Sequence, residues 1–439
     1  MSSEKCNSKE AQLQVMLEQI VQEANTHSQF SQRATILTAE RFVQILVLGW
    51  LQHGTASLNE LAHMAQALDC QITGSALHER IGSAAVALLA QVMVGCLQQV
   101  MAYPRLPLGR LATFSAINVT DSTQIALPLT LRSDFAGNKD NAIVKAQVTL
   151  EYLTGQWVAC ELEAGKTPDQ NSDLPLQQAQ AGSLNLFDLG YFKQERLHDM
   201  AAQGAYFVSR YQSQTNLYEP EMAQPIDLLD WLQSLTVNQA ERTLELGARV
   251  RLPVRLLARR LAQPAADARR RKAKKKAKEQ GKTCSAAYLF LLGWDLLITN
   301  LPATDWSLAH VFDLYPIRIQ IEWLFRVWKS QLKVDHFGNW RRERVLCQLY
   351  AHLIGALLCQ RLTAGWSWHA DCEYSLLKCV QIIQRRIADL MPRIARAWRG
   401  IRTWCRDLEA AFQQFGRKTK RKKTPSTLQI LFDWAYLDA

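Results

Sequence analysis

The residues best equipped to do chemistry together lie in Tyr315-Pro-Ile-Arg318-Ile-Gln-Ile-Glu322-Trp-Leu-Phe-Arg-Val-Trp-Lys329, where the polar spacing is Y-x2-R-x3-E-x6-K. At about 100° per helical residue, Tyr315, Arg318, Glu322 and Lys329 fall within about 60° of one another. Ile317, Ile321, Leu324, Trp328 and Leu332 gather on another face, as a core-packed amphipathic helix requires. One carboxylate flanked by two cations and a phenol can hold a metal ion beside a phosphate backbone. A helix with a few i,i+4 ion pairs would use the same residue types, so the rest of the chain must decide.

Two aspartates upstream sit in matching contexts. Residues 114–120 alternate in polarity like a strand and run into Asp121-Ser-Thr123; residues 183–187 form a short strand pattern leading into Asp188-Leu-Gly190-Tyr191-Phe192. Phosphoryl transfer by two metal ions needs carboxylates converging on cations about 3.5–4 Å apart. Asp121, Asp188 and Glu322 have that character, and Mg²⁺, with Mn²⁺ as the substitute, suits an all-oxygen site that keeps positions open for water and phosphate. Any strand can end in Asp, so Asp121 alone says little, whereas the spaced Y-R-E-K set is specific.

These acids in this order, with Gly204-Ala-Tyr-Phe-Val-Ser-Arg210 between the second and third, resemble the DDE transposases of bacterial insertion sequences. The Y-R-E-K group named after the fourth insertion sequence is the nearest, and the resemblance spans roughly residues 105–365. Ser122 departs from the Gly that many relatives carry there.

The resemblance implies a ribonuclease-H-like α/β core interrupted by a β-rich insertion, its first acid on the first strand and its second just past the fourth. It implies Asp121, Asp188 and Glu322 as catalytic residues and as ligands of two Mg²⁺ ions. Tyr315, Arg318 and Lys329 would hold phosphates near the cut, with Arg210 a further DNA contact. Trp294 matches the insertion tryptophan on which a flipped terminal base stacks in relatives; a core tryptophan on an apolar strand is the alternative. Such proteins cut the ends of their own element and free a 3′-hydroxyl that attacks a second strand. About 130 residues separate Asp188 from Glu322, leaving room for the insertion found in relatives that work through a hairpinned end. Double-stranded DNA, at the element ends and the target, is then the partner, with a homodimer on DNA in the bacterial cytoplasm at the nucleoid. A non-catalytic DNA-binding inhibitor derived from such a transposase is the alternative. A metal nuclease acting on hybrids would need neither the Y-R-E-K helix nor the insertion.

The totals agree with a nucleic-acid partner. The 439 residues are 48% hydrophobic, enough for a sizeable core, and the net charge of +11 calls for a polyanion. Thirteen Trp are scattered rather than set in one stripe, which disfavours a membrane surface. The apolar runs 84–101 and 345–362 reach membrane-span length, but both carry Gln and the second holds His352, so they read as buried helices. Ten cysteines form no C-x-x-C pair, and Cys96, Cys347 and Cys359 lie in apolar helical runs, the pattern of buried free thiols in a reducing cytosol. The polar start gives no signal peptide.

Five segments follow: a helical part at 1–104, a first core half at 105–212, a basic and partly β insertion at 213–300, a second core half at 301–390, and a basic helical region at 391–439. Within the first, Ser57-Leu-Asn-Glu60 is a capping box opening a helix to about Leu68. A turn at 69–73 and a second helix at 74–81 make a helix-turn-helix-like pair offering Ser75, His78 and Arg80 to DNA, unless it is plain packing or a dimer surface. Runs 142–153 and 156–163 predict a hairpin turning at Thr154-Gly155, residues 173–181 a helix, and residues 290–300 a strand returning to the core. The insertion holds the strongest basic run, 269–278; Ala and Lys favour helix there, and Lys274, Lys275 and Lys276 are candidate phosphate contacts. Arg393, Arg396, Arg399, Arg402 and Arg406 would form a cationic stripe on an unbroken helix, followed by a basic arm at 417–423 and an apolar end at 428–437.

Overall fold

The computed structural model describes residues 8–31, 36–99, 109–364 and 374–419. The polar start, residues 420–423 of the basic arm and the apolar end at 428–437 lie outside the described residues.

The N-terminal part is helical: α1 (Lys9–Gln14), α2 (Ile20–Ser28), α3 (Ala39–Gln52), α4 (Leu58–Ala65), α5 (Gly74–Arg80) and α6 (Ser83–Gln98). Then come β1 (Ile117–Leu127), β2 (Ala142–Glu151), β3 (Gln156–Ala164), α7 (Leu174–Gln177), β4 (Leu184–Phe187), α8 (Gln194–Ala202) and β5 (Tyr206–Arg210). The insertion contributes β6 (Leu217–Tyr218), α9 (Leu228–Ser234), β7 (Gln239–Leu246), β8 (Leu252–Arg260), α10 (Gln263–Glu279), α11 (Ala286–Leu291) and β9 (Trp294–Thr299). After α12 (Leu308–Leu314) a 3-10 turn, Tyr315–Arg318, leads into α13 (Ile319–Ser330), α14 (Arg342–Thr363), α15 (Leu376–Ala395) and α16 (Ile401–Phe415).

Contacts divide these elements into two units that cut across the linear segments. Among the described residues, one holds 8–31, 36–99, 121–167, 320–364 and 374–419; the other holds 109–120 and 168–319. The helical N-terminal part thus shares a unit with α14–α16, and the insertion shares the other with β4 and β5.

In the first unit α3 and α14 are buried along most of their length, in α14 with Gln348, His352, Gln360 and Arg361 among the apolar residues. Of the membrane-length window in α14, 94% is buried, so it serves as a core helix. His352 on α14 is part of that core: its Nε2 lies 3.0 Å from the Gly54 carbonyl, its ring meets Trp50 edge-on, and burial holds its pKa down to about 4. The capping box forms, with the Glu60 amide donating to the Ser57 hydroxyl and the Ser57 amide to the Glu60 carboxylate. Strands follow the order β3-β2-β1, and β2 and β3 pair antiparallel across a turn where Gly155 takes φ +71°. A residue with a side chain would be strained at that φ. The arginine stripe does not form on one helix: α15 ends at Ala395, Ala397 and Trp398 take positive φ, and Gly400 (φ +76°) caps α16.

In the second unit the order is β1-β4-β5-β9-β8-β7-β6, with β1, β4 and β5 parallel and β5, β9, β8, β7 and β6 successively antiparallel. The insertion strands therefore extend the sheet instead of standing apart. Their common core is continuous: Phe187, Leu197, Met200, Phe207, Leu244, Leu246, Leu256 and Ile298 are all buried in one cluster. Each such side chain contributes roughly 1.5–3 kcal/mol on burial.

Three expectations are corrected here. The strand carrying Asp121 runs on to Leu127, because Thr123, Ile125 and Leu127 continue the alternation. The helix at 173–181 is the single short turn α7, with Pro175 in it. Residues 290–293 are not strand: Ser285 caps α11, which includes Phe290, and β9 begins at Trp294.

Candidate active site

Strands β1 and β4 pair in parallel register from Ile117↔Leu184 to Thr120↔Phe187. The next residues along the two chains are Asp121 and Asp188. Val119, Thr120, Leu186 and Phe187 are buried, so the strands fix the backbone up to the step at which both acids occur. Only β4 ends at this step; β1 carries Asp121 within the strand and runs on to Leu127. Both aspartates are partly exposed, and the Ser122 amide donates to Asp121 Oδ1 at 2.8 Å.

Local sequence explains the second acid's turn. Asp188 is the N-cap of the 3-10 turn Leu189–Tyr191, and Tyr191 and Phe192 are buried beneath it. A Cβ on Gly190 would come within 3.1 Å of Asp169 Oδ2, so a side chain there would need that carboxylate to give by a few tenths of an ångström.

The Tyr315–Arg318 turn is tied to the same strand end. The Tyr315 hydroxyl donates to the Phe187 carbonyl at 3.3 Å, one residue before Asp188. Arg210, at the end of β5, stands 5.9 Å over the Tyr315 ring. Burial pushes the Tyr315 hydroxyl up to about 12, with Arg210 and Arg318 opposing the shift and Asp188 adding to it. Arg318 is itself buried, 9% exposed. The backbone here is 3-10 rather than α, with Pro316 in its first turn, so the helical angles expected for Tyr315 and Arg318 do not apply. They do apply from Ile319 onward: Glu322 and Lys329, seven residues apart on α13, lie within about 20° of each other. Both are partly exposed, while Ile321, Leu324, Phe325, Val327 and Trp328 are buried. Trp328 anchors that face against Trp157, centroids 4.5 Å apart.

The donor chemistry, three carboxylates, suits a hard divalent cation. The grouping is incomplete: among the described residues no three His, Cys, Asp or Glu side chains are drawn together closely enough to hold a metal ion.

The remaining candidates sort by burial. Lys274, Lys275 and Lys276 are exposed on α10, whose root is fixed by Arg269 donating to Asp295 at 2.7 Å and Arg270 to the Leu289 carbonyl at 2.9 Å. Trp294 is 5% exposed, packed with Leu232 and Ala258, and covered by Arg260 4.8 Å from its ring. It is a core tryptophan here, with no open face on which a base could stack. On α5, Ser75 and His78 are exposed, but Arg80 donates to the Phe30 carbonyl and lies over the Phe30 ring, so it is a packing residue. Sequence reading passed over Trp323, which is exposed on α13 one residue after Glu322. The available signal was that it falls out of phase with Ile321, Leu324 and Trp328.

Comparison with known proteins bears on this arrangement. The family model described as a transposase DDE domain matches residues 113–358, more than half of the chain. The transposase of insertion sequence IS231F from Bacillus thuringiensis subsp. israelensis is 26% identical over 346 residues, 73% of this chain and 72% of that one. The transposase of IS1151 from Clostridium perfringens is 26% identical over 431 residues, 92% of this chain and 91% of that one. A piggyBac transposase in a synaptic complex with hairpin DNA is similar at a TM-score of 0.48 and 10% identity, over 96% of this chain and 87% of that one, a level that decides nothing. With the family model spanning Asp121, Asp188 and the Y-R-E-K segment, the chain belongs to the DDE transposases of bacterial insertion sequences, enzymes that cut and join DNA.

Proposed function

We propose that this transposase binds the terminal inverted repeats of its own insertion sequence and cuts and joins them through Asp121, Asp188 and Glu322, on a ribonuclease-H-like core. The observation that supports the reading is the β1–β4 register, whose last pair, Thr120↔Phe187, is followed in the sequence by Asp121 and Asp188. Glu322 would complete the set from α13, which follows the Tyr315–Arg318 turn in the chain.

These carboxylates would hold Mg²⁺ or Mn²⁺, two ions in the full site. When bound, such ions activate the attacking oxygen and stabilise the leaving one. The chain's own residues do the positioning. Arg318 and Arg210 stand at the strand end with the Tyr315 hydroxyl, where guanidinium groups can take phosphate oxygens in pairs. Lys329 offers a point charge on the Glu322 face, and Lys274–Lys276 offer sequence-independent attraction. A homodimer on two element ends, cut-and-paste excision and a hairpinned intermediate belong to the same proposal, resting on the family resemblance and the sheet-extending insertion.

The test is cleavage of labelled duplexes carrying candidate element ends, with Mg²⁺, by the parent and by Glu322→Ala. Nicking by the parent alone, and only with metal, supports the reading. Equal cutting by both removes Glu322, and binding without cutting by the parent would instead favour the inhibitor derivative.

A further inference from the structure

Strand β8 of the insertion has two faces of different character. Val254, Leu256 and Ala258 point into the apolar clusters of the second unit, and Arg255, Leu257 and Arg259 alternate with them on the other face. Arg255 is 7% exposed. Its Nη1 donates to the Leu301 carbonyl at 3.0 Å and to the Trp306 carbonyl at 2.8 Å, and its Nη2 donates to the Glu241 carboxylate. Those carbonyls bracket the turn that enters α12, where Ser307 is the N-cap and Trp306 is stacked on Phe114, centroids 4.8 Å apart. Farther along β8, Arg259 lies 4.2 Å over the ring of Phe312 in α12. Helix α12 runs directly into the Tyr315–Arg318 turn. The segment is thus held at both ends, by Arg255 before it and by the Tyr315 bond to Phe187 after it.

Stability alone does not call for a cation at this place. Replacing a buried, paired charge with apolar side chains of similar volume is often neutral or stabilising, whereas a forked guanidinium fixes the geometry of the groups it bonds. We propose that Arg255 is a positioning residue for cleavage: by holding the start of α12 it sets where the following turn presents Arg318 to a DNA phosphate. The inference rests on the functional reading above, which gives Arg318 that phosphate, and it gives the insertion a part in the catalytic step itself. A shift of about 1 Å in such a turn is enough to slow a positioned reaction by up to about 100-fold.

The experiment compares cleavage of a labelled element-end duplex at saturating DNA with Mg²⁺, DNA affinity and the urea midpoint for the full chain and its variants. Arg255→Lys keeps the charge but loses the fork, and should cut about 10-fold more slowly while binding DNA within about 2-fold of the parent. Arg318→Lys should also cut slowly, and the double variant should be no slower than Arg318→Lys alone, because Arg255 acts through that residue. Glu241→Gln leaves both carbonyl bonds in place and should cut like the parent. Phe312→Leu frees α12 from the same strand face without touching Arg255; it too should slow cutting, and it decides the matter if Arg255→Lys does not fold. Parent-like cleavage by Arg255→Lys or Phe312→Leu overturns the proposal, as do losses that multiply in the double variant, the outcome of a merely structural role. A loss in Glu241→Gln as large as in Arg255→Lys also overturns it, since the charge of the pair would then matter and the hold on α12 would not. A parent that cuts nothing with Mg²⁺ defeats the functional reading as well, whereas a cutting parent matched by Arg255→Lys defeats this inference alone.

Discussion

The Tyr315–Arg318 turn and the outer half of α10 both present cations within one unit, and they hold them in opposite ways. Arg318 is 9% exposed beside a buried phenol whose hydroxyl is bonded to the Phe187 carbonyl. Lys274, Lys275 and Lys276 are exposed on successive positions of a helix, about 100° apart, so they cannot converge on one group. Only the root of that helix is fixed, through Arg269 and Arg270. A cation held by packing can place a phosphate to a fraction of an ångström, whereas a solvated lysine adds attraction and screening by salt but no register. Under the proposed function, geometry at the cut and grip on the polymer would fall to different parts of the chain.

The contrast has measurable consequences. Asp188→Asn removes a carboxylate fixed by the strand register and should lower metal-dependent cleavage by about 1000-fold or more while leaving DNA binding in place; a small loss would detach that acid from the chemistry. Trp294→Ala should act through folding, costing roughly 3 kcal/mol or more by cavity formation in the cluster with Leu232 and Ala258. Urea denaturation reads that loss, and an unchanged midpoint with weakened DNA binding would return Trp294 to the interface. Replacing Lys274, Lys275 and Lys276 together by Ala should weaken binding to all duplexes alike and reduce the salt slope by about 2–3, with no change in the thermal midpoint. Sequence-selective weakening would mean that α10 reads bases.

The smallest effect concerns Tyr315. Removing its hydroxyl should cost about 1 kcal/mol through the bond to Phe187. Its pKa stands at about 12 in the folded protein against 10.0 ordinarily, because burial disfavours the phenolate. The folded chain keeps a proton that the unfolded chain releases, so this stabilisation is complete below about pH 10 and is lost as pH rises toward 12. Tyr315→Phe should flatten the alkaline fall in stability over that window, and a curve identical to the parent's would contradict the burial argument.

Local chemistry made part of this legible in the sequence. The Ser57–Glu60 capping box, the α4–α5 pair, the hairpin turning at Gly155 and the strand before Asp188 all depend on residues close in the chain. What sequence left open or missed depends on distant partners. Trp294 read as either a base platform or a core tryptophan, and Leu232, Ala258 and Arg260 close over it. The Tyr315–Arg318 turn leaves the α-helix because Pro316 falls in its first turn and the tyrosine reaches the end of β4. The arginine stripe fails at Ala397–Gly400, where three residues take positive φ. The acids themselves were legible as a motif, and the β1–β4 register that precedes two of them was not.

The most direct test of the account is to ask whether the three carboxylates share a bound divalent ion. Fe²⁺ can replace the native ion, and hydroxyl radicals generated at it cut nearby backbone, so the fragments map its position. The account predicts cuts around Asp121, Asp188 and Glu322 in the same DNA-bound sample, competed away by excess Mg²⁺. Cuts at one acid only, or cuts that survive Mg²⁺, would contradict a shared metal site.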